Sequence, residues 1–539
     1  LNQPPEQSTT QALINFTRLA ALLFPVLLGI YLLITSTTHL SDTLWQYDAK
    51  RMLQLVLLPL MFLWVLLIPS LRAAFSEQMA RIPRWLGVAL LLMFTLGLIS
   101  AWYNSETPMG LAYSLADVAL LFLLITAALA IAACRSIAGE LFDRIVIVLI
   151  AMVGVAVGLQ ELIGVLAAWN SGVEFHPRVA LLHFSWPRFY NQVQSWTIPV
   201  IAALPFVFPK KQSIWLLCLL SLALNWYVVV ATGGRGTAVA VGIAVLFSAI
   251  VWPAARKQLL LTNIAGLMLG ALIYSLVVIG HTQLKTVNPA AENAQKGSPH
   301  TTQSAEPAKD NGAKSLIGST AASYKSESFT APLTGERMAT SSGRTAMWRG
   351  SLADTKAHPW LGIGPMNYAC KGPIYRAAHP HSFPMQFLSE WGMPAFVLLL
   401  VVGVFIAFKL ILTLRSGDET GKSIRFVQVA LATGLIAAAI HACLSGVLIM
   451  PASQVAGILI AGWLLGALPV TPKQGLQRLP VNAVLILSLL VSFTFLWFAK
   501  SEISLHEQRL EQTPAMDRLI PRLWQNGKVC GLYQRSEAD

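Results

Sequence analysis

The chain has 539 residues, 55% of them hydrophobic and 12% charged, with a mean hydropathy of +0.61. Water-soluble domains carry about 25% charged residues, so one large soluble enzyme is excluded. Lys and Arg number 38 against 25 Asp and Glu, a formal charge of +13; in a chain this apolar the excess records membrane orientation and does not call for nucleic acid. Cys134, Cys218, Cys370, Cys443 and Cys530 form no CxxC pair and no His/Cys spacing suited to zinc, so neither a metal site nor a cofactor is expected.

A helix crosses the hydrocarbon core with about 20 apolar residues, each rising about 1.5 Å through about 30 Å. Thirteen segments approach that length, at 16–36, 52–71, 85–102, 111–133, 144–167, 192–208, 213–231, 236–252, 259–280, 384–414, 427–449, 454–470 and 481–499. The 192–208 and 454–470 segments are short, which leaves twelve spans with one re-entrant segment, or thirteen. Residues 1–15 are polar and the first span lacks a small-residue cleavage site, so it reads as an uncleaved helix. The expectation is an all-α polytopic membrane protein: a bundle of about nine spans over 1–280, a large loop over 281–383, further helices over 384–499 and a tail over 500–539.

Alternate short loops differ sharply in basic residues. One set holds fifteen, among them Arg72, Arg81, Arg135, Arg144, Arg256 and Arg415; the other holds Lys50, Arg51, Arg178, Arg188 and Arg235. The richer set faces the cytoplasm by the positive-inside rule, so with thirteen spans both the 281–383 loop and the tail lie outside. Cys370 and Cys530 are then the two cysteines outside, where a disulfide can persist, although sharing a side does not bring two cysteines within bonding distance.

The outer loop joins two compositions. Residues 286–331 are rich in Ala, Ser, Thr, Lys and Pro, too poor in large apolar groups to fold alone, and are expected to be a mobile insert. Residues 336–383 hold Trp348, Trp360, Leu361, Met366, Tyr368 and Tyr375, and are expected to form the ordered part, with one or two short amphipathic helices along the membrane surface.

Three outer arginines stand where helices meet that face: Arg188 in WPRFYNQ, Arg235 in TGGRGT and Arg344 in SGRTAMW. A guanidinium grips phosphate oxygens in pairs, so several converging on one cavity would clamp a diphosphate; taken singly, each equally suits snorkelling to headgroups or an ion pair. His379 and His381 flank Pro380 just before the tenth span, a spacing that does not place two zinc ligands on one helical face. With Ser382 as the helix cap, His381 sits where the helix dipole disfavours imidazolium, which suits a general base near neutral pH; by residue type alone a structural histidine is the commoner case. Glu390 lies about 12 Å along that helix, facing a cavity or a partner. His441 and Ser445 read as structural hydrogen-bonding groups.

The segment HSFPMQFLSEWG, from His381 to Gly392, resembles the histidine motif of the bacterial O-antigen ligase and polymerase superfamily of membrane glycosyltransferases. GRTAMWRGSLADTKAHPWLGIGP is similar to that family's outer-loop segment through Arg344, Trp348, His358, Pro359, Leu361, Gly362 and Gly364. TGGRGT resembles its arginine turn and RFYNQVQSWTIP its Arg/Asn segment. The resemblance covers the middle and C-terminal two thirds; Ala395 fits loosely and the 286–331 insert looks private to this chain.

The resemblance implies a GT-C-like fold and transfer of O-antigen polysaccharide from undecaprenyl diphosphate to the lipid A-core oligosaccharide. The reaction would run on the periplasmic face of the bacterial inner membrane, among membrane lipids and with no nucleic acid. His381 would be the general base, and Arg188, Arg235 and Arg344 the diphosphate clamp, acting without metal, with inversion at the sugar carbon. Trp348, His379 and Glu390 are supporting candidates. An O-antigen polymerase or a protein O-oligosaccharyltransferase would use the same donor chemistry. A lipid-linked sugar flippase is the non-enzyme alternative, disfavoured because no internal repeat is visible.

Overall fold

The computed structural model describes residues 5–171, 184, 186–209, 211–287, 344–371, 377–416, 422–469, 480–511 and 522–525. All regular elements among them are helical. They are α1 (Pro5–Thr37), α2 (Gln46–Leu67), α3 (Pro69–Ala80), α4 (Arg84–Tyr103), α5 (Pro108–Ala138), α6 (Glu140–Asn170), α7 (Arg188–Ile201), α8 (Leu204–Val207), α9 (Gln212–Ala231), α10 (Arg235–Val251), α11 (Arg256–Val287), α12 (Arg344–Ala357), α13 (Phe383–Ser416), α14 (Lys422–Ala442), α15 (Pro451–Ala467) and α16 (Val481–Glu511). Short 3₁₀ turns stand at Pro253–Ala255 and Asn367–Lys371. The insert over 286–331 lies, but for its first two residues, outside the described residues.

Among the described residues ten helices are long and apolar enough to cross a membrane, and α10 and α15 are apolar but shorter. The α7–α8 pair is the unusual element. At about 1.5 Å per residue, the 14 residues of α7 fall short of the hydrocarbon thickness, and Asn191, Gln192, Gln194, Ser195 and Thr197 on it are all buried. A helix carrying that many polar groups survives at membrane depth only where protein surrounds it. It lies against α14, α15 and α10. The Phe206 ring of α8 lies 4.0 Å from that of Phe426, near the start of α14, so α7 and α8 together reach the face opposite Arg188.

Arginines tie helix ends together at that opposite face. Arg135 grips Asp143 through Nε (2.7 Å) and Nη2 (2.9 Å), Trp463 Nε1 donates to the same carboxylate at 2.6 Å, and Arg415 Nε donates to the Val251 carbonyl at 3.1 Å.

The sequence pattern extends the eleventh span to residue 449, but α14 ends at Ala442 and turns occupy residues 443–450. Pro451 begins α15, and a proline disfavours helical backbone in the residue before it. From Gly446 onward this non-helical stretch is largely buried in protein: Arg51 Nη2 donates to the Ile449 carbonyl at 2.5 Å, and Gln454 Nε2 to the Leu448 carbonyl at 2.7 Å.

α13 is broken at Gly392, whose φ of 80° and ψ of 171° are not helical. Pro394 has no N–H to donate to the Glu390 carbonyl four residues earlier, and the segment 359–364 repairs the gap. Gly364 N–H donates to the Glu390 carbonyl (3.0 Å), Ile363 N–H to that of Ser389 (2.9 Å), and Met393 N–H to that of Pro359 (2.8 Å). The approach is so close that a Cβ at Gly392 would stand 2.4 Å from the Trp360 carbonyl oxygen, and one at Gly362 2.5 Å from that of Glu390. Gly392→Ala therefore combines a clash with a backbone region that costs a non-glycine residue about 1–3 kcal/mol. A lower unfolding temperature in detergent is expected, measured by intrinsic fluorescence; an unchanged value would mean that the junction relaxes freely.

Candidate functional site

Residues 377–382 lead into α13, with Ala378, His379 and Ser382 buried. His381 has a φ of 52°, a left-handed conformation uncommon outside glycine and often found at functional positions. Its neighbours hold it there. The His381 N–H donates to His379 Nδ1 at 3.1 Å, which leaves Nε2 to carry the proton of the neutral His379 ring, and the two rings meet edge to face at 4.3 Å. Trp348 Nε1 on α12 donates to the Pro380 carbonyl at 3.0 Å.

Arg188, Arg235 and Arg344 are the first residues of α7, α10 and α12. Cations are favoured at helix C-termini, and a helix N-terminus already carries partial positive charge. At this end three helices begin with arginine, as α4 and α11 do elsewhere with Arg84 and Arg256; here the three starts serve one histidine loop, and each would favour an anion beside it. The guanidiniums are close enough to act on the site electrostatically. Burial lowers the proton affinity of Arg344, and Arg235 lowers it further. Burial holds His381 down at about 4, with Arg344 and then Arg188 contributing. Burial also holds His379 well below the usual imidazole value, followed by His381, Arg522 and Arg344.

Beneath the arginines lies a hydrogen-bonded floor. Thr237 Oγ1 donates to the Asn191 carbonyl at 2.7 Å, and Ser195 Oγ stands 2.7 Å from His441 Nδ1. His441 lies directly under the arginine turn, since a Cβ at Gly236 would be 2.8 Å from its Nε2. Gln192 Nε2 donates to Ser445 Oγ at 3.1 Å, while its buried Oε1 has no partner among the described residues. His441 and Ser445 therefore hold the floor of this site.

Glu390 is buried and pairs with a residue that sequence reasoning did not single out. Arg522 Nη2 donates to Glu390 Oε2 at 2.6 Å and stands 3.5 Å from Asp117 Oδ2 on α5. Residues 522–525 are inserted into the same end of the bundle. Tyr47 donates to the Arg522 carbonyl at 2.6 Å, Arg51 Nε to that of Leu523 at 3.2 Å, and Gln525 N–H to Asp48 Oδ1 at 2.6 Å. The available signal was the RLW tripeptide, an apolar interruption in a polar tail.

All seven singled-out residues therefore stand at one end of the bundle. His381, His379 and Trp348 form a single hydrogen-bonded and ring-contact unit; Arg344 and Arg188 act on His381 electrostatically, Arg235 acts on Arg344, and Glu390 stands beside the unit on α13. Cys370 is disulfide-bonded, and Cys134, Cys218 and Cys443 are free; Cys530, the remaining cysteine, lies outside the described residues.

These features define an all-α polytopic membrane protein with a cationic, histidine-bearing site at one end of its bundle. Residues 220–400 match the family model described as O-antigen ligase, which supports the resemblance to the O-antigen ligase and polymerase superfamily and, with it, a glycosyltransferase-like activity. The matched region contains Arg235, Arg344, Trp348, His379, His381 and Glu390, and excludes Arg188 and Arg522. No curated protein matches the chain.

The two histidines contribute to the pH dependence of stability, both in the same direction. An unfolded histidine takes up a proton near 6.5, whereas folded His381 does so only at about 4. Between those values the unfolded state binds more protons, so stability falls as pH is lowered. Between pH 8 and pH 4 the unfolding temperature of the wild type is expected to fall relative to that of His381→Asn as pH drops below about 7. A difference between the two that does not change with pH would overturn this account.

Proposed function

We propose that the protein is an inverting glycosyltransferase that moves O-antigen polysaccharide from undecaprenyl diphosphate to the lipid A-core oligosaccharide. The reaction would take place on the periplasmic face of the bacterial inner membrane. The observation that carries this reading is the convergence of three arginine-initiated helices on one buried histidine loop.

An acceptor hydroxyl attacks the anomeric carbon from the side opposite the diphosphate. As the new C–O bond forms, the bond to the diphosphate oxygen breaks and its electron pair leaves with the phosphate. His381 takes the hydroxyl proton, which is possible because its imidazole is neutral at working pH. Arg188, Arg235 and Arg344 stabilise the charge that develops on the leaving diphosphate, acting as fixed donors that need no reorganisation. His379 and Trp348 hold the His381 backbone in place.

Two observations support the sidedness. The disulfide at Cys370 belongs to an oxidising compartment, and the opposite end of the bundle carries the arginine-rich ends expected of a cytoplasmic face. An O-antigen polymerase or a protein O-oligosaccharyltransferase would share the donor chemistry, and the acceptor separates the three.

The experiment is transfer in proteoliposomes holding purified protein, a defined polyprenyl-diphosphate glycan and, in separate arms, lipid A-core, a second donor lipid or an acceptor protein. Product on lipid A-core is expected; product in another arm would reassign the acceptor, and lipid crossing without product would indicate a flippase. His381→Ala should lower transfer by about 10² to 10⁴ with donor binding retained, and near-normal transfer would remove His381 from the mechanism. Arg344→Lys and Arg235→Lys should each lose activity at low donor concentration, because paired phosphate contacts are lost while charge remains. No group of three His, Cys, Asp or Glu stands together among the described residues, so added chelator should leave the rate unchanged; inhibition reversed by magnesium would show otherwise.

A further inference from the structure

The Arg522 guanidinium is 2% exposed and touches three separate parts of the site. Its Nη2 meets Glu390 Oε2 at 2.6 Å and Asp117 Oδ2 at 3.5 Å, and its Nη1 donates to the Ala378 carbonyl at 3.4 Å. Ala378 lies three residues before His381, at the base of the histidine loop. The other Glu390 oxygen, Oε1, accepts the Tyr368 N–H at 3.1 Å. The Tyr368 hydroxyl in turn approaches the Met347 carbonyl at 3.5 Å, one turn along the helix that begins with Arg344. The Arg522–Glu390 pair therefore ties the loop that presents the imidazole to the helix that presents an arginine. Removing one partner of a buried ion pair leaves an uncompensated charge, and neighbouring structure shifts to solvate it.

We propose that Arg522, carried on the C-terminal tail, is a positioning residue for the transfer reaction: through Ala378 and Glu390 it fixes the His381 imidazole relative to the Arg344 helix. The inference rests on His381 acting as the base. A displacement of about 1 Å at a reacting group costs about 10²-fold in rate, so the effect falls on turnover more than on donor affinity.

The test is a double-mutant cycle in the same proteoliposome assay, comparing wild type, Arg522→Gln, His381→Ala and the double variant, with KM for the donor and kcat measured separately. Arg522→Gln is expected to lower kcat by about 10 to 10²-fold with KM for the donor within about threefold of wild type, and Arg522→Lys to recover part of the loss. In the His381→Ala background, Arg522→Gln should cost little more, because a residue acting through His381 has nothing left to position. If His381→Ala is active, the base assignment fails whatever Arg522 does. If His381→Ala is inactive and Arg522→Gln turns over normally, or if the two losses multiply, the positioning role is overturned while the base assignment stands. Should Arg522→Gln not elute as a monodisperse species, Glu390→Gln and Arg522→Lys replace it in the cycle under the same criteria.

Discussion

The carbonyl of Glu390 has no donor within its own helix, because the residue four positions on is Pro394. A buried backbone oxygen left so would be costly, and the turn at 359–364 supplies the missing N–H groups. Much of the histidine-bearing end follows from that junction. It brings the end of the α12 segment against the start of α13, and so sets Trp348 beneath Pro380. Ser100 Oγ on α4 donates to the Leu361 carbonyl at 2.5 Å, and Ser114 Oγ on α5 to that of Pro365 at 2.7 Å. The N-terminal bundle thus clasps the same turn from its other side.

Much of this was legible in the sequence, where the signal was local. Hydropathy located the long helices, and basic-residue counts assigned opposite ends to Arg135 and Arg235. His381 and the three arginines were readable because each stands beside a glycine or proline in a short pattern, and Trp348 because it follows Arg344 by four residues in one of them. The end of the eleventh span was misplaced because residues 443–449 are as apolar as a helix, and hydropathy does not register a turn satisfied by neighbouring protein. Arg522 was missed for a different reason. Its partner Glu390 is 132 positions away, and nothing near Arg522 marks it as buried except the adjoining Leu523 and Trp524.

The floor of the site illustrates how the polar helix α7 is tolerated. Its amides are satisfied chiefly by one another and by facing helices: Asn191 Nδ2 donates to Gln194 Oε1 at 2.8 Å, and Gln194 Nε2 to the Asn225 carbonyl at 2.8 Å. Such a network fixes the orientation of the helix that begins with Arg188, so the rigidity of a charged surface group is set by uncharged amides one to two turns along the helix.

The low proton affinity of His381 has a consequence for the order of events. Part of what holds the imidazole neutral is the charge of Arg344 and Arg188, and an anion seated on those guanidiniums cancels that repulsion. The imidazole becomes a stronger base only while the anion is in place. On the function proposed above, the arginines would act as a sensor as well as a clamp: a hydroxyl arriving before the diphosphate would meet a ring that holds a proton poorly, and the first substrate would arm the site for the second.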